Sequence, residues 1–435
     1  MVGSEKVLLR AMETLAKIWR YKDLRNKVLT VAALLVVTRI VSHIPMPGVN
    51  LEQLRAFFEQ NQIFGLLNMF SGGTMSSFSI ALMGVGPYIT SSIVFQLLTM
   101  IVPRLEELQK EGEAGRNKIN QWTRMLTIPL AIIQGYSMLF LLRNQGIIPA
   151  WTLYQLIVML VSITAGTLIL MWIGEIITEK GIGNGLSLII SIGILAGLPK
   201  SIRNTASLIS VADTAKIIEM VIFLIVAILI VGVIVLITEG QRNIPVSYAR
   251  KSRGVHSYSS LNTFLPIKVN TAGVIPIIFA MSLMIIPGVV GKFLQSAKTP
   301  WIASAALSTE NLFKNNLFYG ALYFVLVVAF TYFYTSVVFK PDQIAENLQK
   351  QGGFIPGIRP GTETIAHLGN IIVRITLTSS IFLGLIAVLP FIMQAVTKIN
   401  TLVIGGTGIL IVVSVVIETM NQLQAQLTMH TYENY

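Results

Sequence analysis

The side chains that could do acid–base or metal chemistry are few and scattered in this chain. Its four histidines, His43, His256, His367 and His430, lie in loops or near the ends of apolar stretches, with no acidic cluster at metal-ligand spacing. The sequence contains no cysteine and no GxxxxGK[ST] phosphate-binding loop. These patterns argue against a metal site, thiol chemistry and ATP hydrolysis, and we expect neither enzymatic activity nor a cofactor.

Ionisable side chains inside the apolar segments are also rare. Arg124, Arg374, Glu219 and Glu418 lie near segment ends, where they can reach the membrane interface or pair within a helix bundle. Arg39 lies deeper, and it could balance a re-entrant element or bind a carbonyl, although the sequence names no partner. Ion-coupled transporters normally need midplane carboxylates, which are costly at roughly 2.5 to 3.5 kcal/mol on insertion scales. The pattern therefore favours a pore closed by hydrocarbon.

The segments that would position such a pore dominate the composition. Hydrophobic residues make up 53% and charged residues 12% of the 435 residues, which indicates a polytopic membrane protein. A spanning helix needs about 20 mostly apolar residues. Ten segments qualify: Val28 to Ile44, Phe78 to Val102, Gln121 to Leu142, Thr152 to Gly174, Asn184 to Leu198, Lys216 to Ile237, Val269 to Val290, Leu317 to Phe339, Leu368 to Gln394 and Leu402 to Met420.

The distribution of Lys and Arg orients these spans. Ten spans place both termini on one side, and the loops of that side carry 20 Lys and Arg against 9 on the other. By the positive-inside rule both termini are cytoplasmic. This excess of positive charge would also attract anionic lipids and acidic partners.

Glycine and proline interrupt the spans at matching places. If the chain is cut near residue 210, the second span of each half is broken, at Gly84 to Ser92 and Ala272 to Ala280, and the fifth begins with Gly-rich sequence, at Gly181 to Ile190 and Gly405 to Val413. Glycine and proline are common in membrane helices, but two matching pairs favour two five-helix halves of inverted topology with a functional site at the breaks.

The remaining segments complete the predicted layout. Residues 63–79 are too short and too Gly-rich to cross a bilayer, and a re-entrant element is favoured over a surface loop. Residues 1–27 form either an amphipathic helix on the cytoplasmic face or an ordinary packed helix. The predicted units are 1–27, an N-terminal half at 28–210, a C-terminal half at 211–420 with long cytoplasmic loops at 239–268 and 340–367, and a cytoplasmic tail at 421–435.

The two long loops have their own sequence features. The first shows β-type alternation and a basic tip, and the second combines a short helical stretch, DQIAENLQKQ, with a Gly/Pro-rich turn that presents Arg359. Ordered loops with exposed basic tips most simply indicate docking of a large partner, and the alternative is a solvated loop without a partner.

Over nearly its whole length the chain resembles the SecY family, the central subunit of the protein-conducting translocon. Eight motifs carry the resemblance in family order: PMPGV, MFSGG, GPYITSSIVFQLL, TEKGIGNGLSLII, EGQRNIPVSYA, LPIKVNTAGVIPIIFA, FKPDQIAENLQKQGGFIPGIRPGTET and GGTGILIVV. The resemblance implies an all-α polytopic membrane protein of ten transmembrane helices, in two inverted five-helix halves with a re-entrant plug helix.

The resemblance also implies a set of site residues. The pore ring falls on Val85, Ile89, Leu186, Ile190, Ile278 and Ile411. The plug falls on Phe64, Leu66, Leu67, Asn68, Met69, Phe70, Ser71, Gly72 and Gly73. The lateral gate lies between spans two and three and spans seven and eight, with Thr90, Ser91, Gln96, Asn270, Thr271 and Ile286 as gate residues. Polar side chains such as Thr90 and Gln96, facing another helix, would hold this gate weakly.

The implied partners act on the cytoplasmic face and in the membrane. The resemblance implies docking of the SecA motor ATPase or the ribosome on Arg242, Arg250, Lys251, Arg253 and Arg359. It also implies SecE-like and SecG-like small membrane subunits, signal sequences, unfolded polypeptide and a plasma (inner) membrane location.

Two rival functions are compatible with parts of this sequence pattern. A secondary transporter for a small solute shares the inverted-repeat pattern, and a membrane scaffold shares the composition. The uncharged midplane and the docking loops favour the channel over the transporter, and a scaffold does not explain the matched breaks.

Overall fold

The computed structural model of the protein describes residues 19–46, 49, 51–60, 68, 71–149, 151–180, 182–207, 214–248, 263–294, 300–397 and 406–433. Within these ranges some side chains, including that of Ile286, are not described. Most of the predicted N-terminal helix at 1–27 lies outside the described residues, as do most of the plug positions and the basic tip of the first long loop.

The described chain forms fourteen helices and three short strands. The helices of the first half are α1 Lys22–Val41, α2 Leu51–Gln60, α3 Gly86–Ile101, α4 Pro103–Lys110, α5 Glu113–Asn144, α6 Leu153–Glu179 and α7 Gly185–Ser207. The second half contains α8 Thr214–Glu239, β1 Gln241–Tyr248, β2 Thr263–Lys268, α9 Ile275–Leu294, α10 Pro300–Lys314, α11 Asn316–Val338, α12 Pro341–Lys350, β3 Gly353–Phe354, α13 Thr362–Thr397 and α14 Gly406–Glu433.

Each of the ten predicted spans overlaps a helix. By length and hydropathy, five described segments can cross a membrane alone: Glu113–Asn144, Leu153–Glu179, Thr362–Ile392, Gly408–Met429 and Leu317–Lys350, the last of which combines α11 with the loop helix α12. Gly86–Ile101 and Pro103–Lys110, bent by 101°, form a sixth candidate. The remaining apolar helices are shorter, with described apolar parts at Gly185–Pro199, Ile225–Glu239 and Ile275–Met284.

The predicted breaks coincide with helix starts. Gly84, Gly183 and Gly273 have φ of +54°, +72° and +62°. Glycine adopts this left-handed backbone conformation readily, whereas residues with a side chain disfavour it. Each lies two residues before the first residue of a helix, α3, α7 or α9 respectively. The broken spans therefore begin with a glycine turn inside the bundle, as the sequence pattern predicts.

Two apolar clusters form the core of the helix bundle, and a third, smaller one lies between the long loops and α13. The larger one joins helices of both halves through residues such as Leu170, Ile234, Met281, Leu383 and Val415. The second packs α2 and the turns at 71–85 against α5 and α6, through Leu54, Met75, Phe78, Leu139 and Ile163. The non-helical segment before α3 is thus enclosed by protein, as backbone at membrane depth requires.

The two long loops share one small sheet. The predicted β-type alternation is confirmed, since β1 and β2 pair antiparallel with Arg242 opposite Ile267. The sheet has the order β2-β1-β3, and β1 also pairs with β3 of the second loop through Ser247 and Phe354. The predicted short helix of the second loop is α12. The loops are therefore one joined unit.

Three elements differ from the sequence expectations. α3 ends at Ile101 and Pro103 starts the polar helix α4, because proline lacks the N–H that would continue the first helix. α10 forms in a stretch for which we predict only a loop. α14 continues to Glu433 and so includes most of the predicted tail at 421–435.

Replacing Gly166 with Ala is expected to destabilise the protein. A Cβ at this position in α6 would overlap the backbone carbonyl of Ile80. Such overpacking costs typically about 1–3 kcal/mol, which exceeds the roughly 1 kcal/mol that Ala gains over Gly in a helix. Thermal unfolding in detergent should give a lower midpoint for Gly166→Ala.

The matched control for this prediction is Gly232→Ala in α8, where a Cβ meets nothing within 4 Å. Its midpoint should stay equal to that of the unmodified protein or rise. Equal midpoints for the two variants would contradict the close packing at Gly166.

Candidate functional site

The six predicted ring residues belong to one apolar cluster. Val85, Ile190, Ile278 and Ile411 are buried members of the larger core, with Ile411 fully buried, and Ile89 and Leu186 are partly buried and pack against it. They come from α3, α7, α9 and α14, two helices of each half. The structure therefore brings all six predicted positions into the same apolar region.

Local helix geometry explains this arrangement. Val85 and Ile89 are four residues apart, joined by the Ile89 N–H to the Val85 carbonyl (3.1 Å), and Leu186 and Ile190 have the same spacing. Residues four apart lie on the same helix face. The glycine turns before α3 and α7 thus set both pairs at the N-terminal ends of their helices, with Val85 as the N-cap residue of α3.

The backbone between the first span and α3 forms a dense set of turns. Ser71, Gly72 and Gly73 lie at its start, and Gly72 and Gly73 have φ of +77° and +81°. Asn68 organises the turn, because its Oδ1 accepts from the Ser76 N–H (2.8 Å) and its carbonyl accepts from the Gly73 N–H (2.7 Å). The other predicted plug positions, Phe64, Leu66, Leu67, Met69 and Phe70, lie outside the described residues.

This segment is packed closely against two spans. A Cβ added to Gly84 would lie 2.9 Å from the Ser71 Cα, and a Cβ added to Gly193 of α7 would overlap the Gly72 Cα. Arg39 of α1 also reaches it, since its Nη1 donates to the Gly72 carbonyl (2.9 Å). The sequence singles out Arg39, but only the structure identifies its acceptor.

The predicted gate residues make hydrogen bonds within their own halves. The Ser91 hydroxyl donates to the Thr123 carbonyl of α5 (2.7 Å), and Thr90 Oγ1 accepts from Gln134 Nε2 of α5 (3.4 Å). Of these partners, Gln134 is a polar residue of the third span that the sequence reading does not select. These contacts fasten α3 to α5.

The second-half gate residues behave in the same way. Asn270 is buried, and its Oδ1 accepts from the Ser379 hydroxyl of α13 (3.4 Å), while its Nδ2 donates to the Gly273 carbonyl (3.3 Å). Thr271 lies in the following turn. In the described part of the chain no hydrogen bond joins α3 or α5 to α9 or α11. We expected Thr90 to bond across the gate, but it bonds to Gln134 of α5 on its own side.

A cavity of about 290 Å³ lies between the two sides of the gate. Ser92, Gln96 and Thr123 line it from α3 and α5, and Tyr334 and Val338 line it from α11. The Gln96 Oε1 is buried and has no hydrogen-bond partner among the described residues. The two sides thus touch where α9 meets α3 and are separated by polar space where α11 faces α3.

The long loops place two predicted docking cations on their surface. Arg242 is exposed on β1, and Arg359 is exposed in the turn after β3. The Arg359 backbone is held on both sides, because its N–H donates to Glu363 Oε2 (3.3 Å) and its carbonyl accepts from the Thr364 hydroxyl (2.9 Å). Arg250, Lys251 and Arg253 lie outside the described residues.

Two other charged residues of the second loop pair with each other. Lys350 pairs with Glu346 at 2.8 Å, and the hydrogen bond and positive charge of Lys350 hold the pKa of Glu346 below its usual value. Within the described residues, the Arg359 side chain has no ion-pair partner. Its guanidinium is therefore available to an acidic partner.

Charges near the span ends pair within the bundle. Arg124 Nε of α5 donates to Glu175 Oε1 of α6 at 2.7 Å, which confirms the expectation that Arg124 reaches the interface or pairs internally. The described residues include no group of three or more His, Asp or Glu side chains that could hold a metal ion.

Asn270→Leu is expected to destabilise the turn before α9. The substitution leaves the Ser379 hydroxyl and the Gly273 carbonyl without a partner, which costs about 1–3 kcal/mol for a buried group. Differential scanning fluorimetry in detergent should show a lower unfolding midpoint.

Thr271→Val provides the control, because it also replaces a polar gate residue, next in the chain, that is only partly buried. Its midpoint should change little. A midpoint for Asn270→Leu at or above that of Thr271→Val would count against the Asn270 contacts.

Comparison with known proteins places this architecture in a family. The family model described as SecY matches residues 79–420. The chain is 41% identical over 438 residues to the protein translocase subunit SecY of Streptomyces coelicolor, covering 97% of this chain and 98% of that protein. It is 43% identical over 430 residues to the corresponding subunit of Halalkalibacterium halodurans, covering 97% and 99%.

Solved structures support the same fold. The structure of a protein conducting channel matches with a TM-score of 0.62 at 19% identity, covering 91% of this chain and 90% of that one. A SecY structure concerned with the plug domain matches with a TM-score of 0.59 at 20% identity and the same coverage. Sec61 in the canine ribosome-channel complex matches with a TM-score of 0.59 at 19% identity, also covering 91% and 90%. With the family model spanning most of its length, the chain belongs to the SecY family of multi-pass membrane proteins.

Proposed function

We propose that the chain is the pore subunit of a protein-conducting channel that moves unfolded secretory polypeptides across the plasma (inner) membrane and releases hydrophobic segments sideways into the bilayer. The observation that carries this proposal is that six aliphatic side chains from four helices belong to, or pack against, one apolar cluster that joins the two halves. Its relatives are protein translocase subunits, which are transporters and not catalysts.

The aliphatic ring suits a channel for chains of any sequence. Ile, Leu and Val side chains exclude water and ions by dewetting when the pore is closed. They also make no hydrogen bonds that would select one polypeptide over another. Burial of Val85, Ile190, Ile278 and Ile411 supports a closed constriction at this level.

The turn at 71–76 and the preceding residues to 63 act as the plug. Support comes from its close packing against Gly84 and Gly193 and from a structural relative whose plug domain stabilises the closed state and maintains a membrane seal. Non-helical backbone at membrane depth is tolerated only where it is buried in protein or lines a water-filled cavity, and this turn is buried in protein.

The lateral gate lies between α3 and α5 on one side and α9 and α11 on the other. The absence of described hydrogen bonds across it, together with the polar cavity at Gln96 and Tyr334, supports a gate held mainly by packing. Interhelical hydrogen bonds in membranes average only about 0.6 kcal/mol, so a hydrophobic signal segment competes readily for either surface.

The joined loops form the docking surface for a cytoplasmic partner, either the motor SecA or the ribosome. The sheet shared by the two loops and the exposed Arg242 and Arg359 support this role. One structural relative was solved in a complex with the ribosome. Both termini are then cytoplasmic, and SecE-like and SecG-like subunits complete the channel in a membrane with anionic lipids.

Photocrosslinking tests the proposed path directly. A secretory chain stalled during translocation through reconstituted channel should crosslink to a photoreactive residue at Ile89 or Ile278. The same group at Val161, which is exposed on α6, should crosslink to lipid and not to the chain. Adducts at Val161 alone, or a bound small solute at the ring, would overturn the proposal.

Ile278→Asn is expected to loosen the closed pore, because a polar side chain in the ring favours water there. Proteoliposomes should show a severalfold higher resting ion conductance, or signal sequences with weaker hydrophobic segments should be accepted. Ile277→Asn is the control: Ile277 is fully buried next to Ile278 but is not a ring position. Equal leakage in both variants would argue against the ring assignment.

Arg359→Glu is expected to abolish ATP-driven translocation while the protein still inserts and folds, because a carboxylate repels an acidic docking surface. Arg359→Lys retains the charge and should keep part of the activity. Full translocation by Arg359→Glu in a reconstituted assay would exclude a docking role for this arginine.

A further inference from the structure

The side chain of Arg39 is a cation in the first span whose purpose the ring, gate and docking loops do not explain. It is half-buried in the last turn of α1, and its Nη1 donates to the Gly72 carbonyl at 2.9 Å. In the described part of the chain no carboxylate lies within ion-pair distance of it. The acceptor of this charge is therefore a backbone carbonyl of the proposed plug.

Most other hydrogen bonds of this turn stay within the turn itself. Asn68 accepts from the Ser76 N–H, and the Thr74 hydroxyl reaches the carbonyls of Ser71 (3.0 Å) and Leu82 (3.3 Å). The Ser77 hydroxyl reaches the Ser42 carbonyl (3.2 Å), but Ser77 lies at the end that continues into the next span. Among the described residues 68 and 71–76, the Arg39 bond is the one that leads to a separate span.

The packing around Gly72 makes this bond geometrically selective. A Cβ added to Gly193 would overlap the Gly72 Cα, so Gly193 has no room for a side chain, and the φ of +77° at Gly72 disfavours a side chain there. The Gly72 carbonyl accepts from the Arg39 guanidinium while the Gly72 backbone lies against Gly193 of α7. The hydrogen bond and the close backbone packing therefore belong to the same position of the turn.

We propose that Arg39 is a positioning residue that latches the plug in its closed position through the Gly72 carbonyl. This inference rests on the proposed assignment of the turn at 71–76 and the preceding residues to 63 as the plug. A bond to a charged donor is stronger than a neutral one, and in the open channel the freed guanidinium is solvated by the pore water. The latch therefore biases the closed state without preventing release.

Cysteine accessibility measures the latch, because the chain has no native cysteine. Ser71→Cys places a thiol in the seated turn, where Ser71 is buried, and a membrane-impermeant maleimide added from the extracytoplasmic side reports its release. Arg39→Gln in this background should speed labelling by roughly ten- to a hundredfold, the range expected for loss of a charged hydrogen bond. Arg39→Lys, which keeps a charged donor, should restore slow labelling in part.

Two controls separate a latch from general loosening. Arg124→Gln removes another span arginine, one that pairs with Glu175 and does not contact the turn, and it should leave Ser71→Cys labelling unchanged. Thr167→Cys, fully buried in α6, should stay unlabelled in every background. Faster labelling at both cysteines would indicate a structural role and overturn the latch.

Failure of the latch can also be distinguished from failure of the proposed channel function. Unchanged Ser71→Cys labelling in Arg39→Gln protein that still translocates a secretory chain would overturn the latch and leave the channel standing. Unmodified protein that is inserted and assembled with its partners, yet carries no chain, would overturn the channel itself.

Discussion

Backbone polar groups that leave helical hydrogen bonding inside a membrane have no water to replace their partners, and this constraint governs the site. The turns at 71–85 meet it with a compact set of bonds: the Ile80 N–H reaches the Ile44 carbonyl, the Met46 N–H reaches the Phe78 carbonyl, and Asn68 closes the first turn. Because the protein itself supplies partners for these backbone groups, a non-helical segment can lie within the bundle beside the ring.

The same constraint explains the role of glycine in the bundle. Helices α3, α7 and α9 each start after a glycine with positive φ, so their first turns lie in the bundle interior where the ring residues sit. Gly84 and Gly193 then provide the surface on which the turn rests. Glycine contributes twice, first by allowing the chain to turn and then by allowing another backbone to approach.

Much of this architecture can be predicted from sequence, and the physical reasons are clear. Apolar length predicts the spans, and the paired Gly/Pro breaks predict where α3 and α9 begin. The bend at Pro103 and the α10 helix are missed because their stretches are short and polar or weakly apolar. The pairing of Ser247 with Phe354 is missed because it joins two distant loops, and periodicity carries no information on which strands meet.

The contrast between the ring and Arg39 follows from what each must contact. A constriction that admits unrelated polypeptides has to avoid specific bonds, so aliphatic side chains are suited to it and a midplane charge is not. A latch contacts only one fixed partner, the chain's own backbone at Gly72, and can therefore use a directional bond from a charged donor. The arginine in the last turn of α1 and the uncharged ring are thus complementary solutions, one specific to the closed state and the other indifferent to what passes.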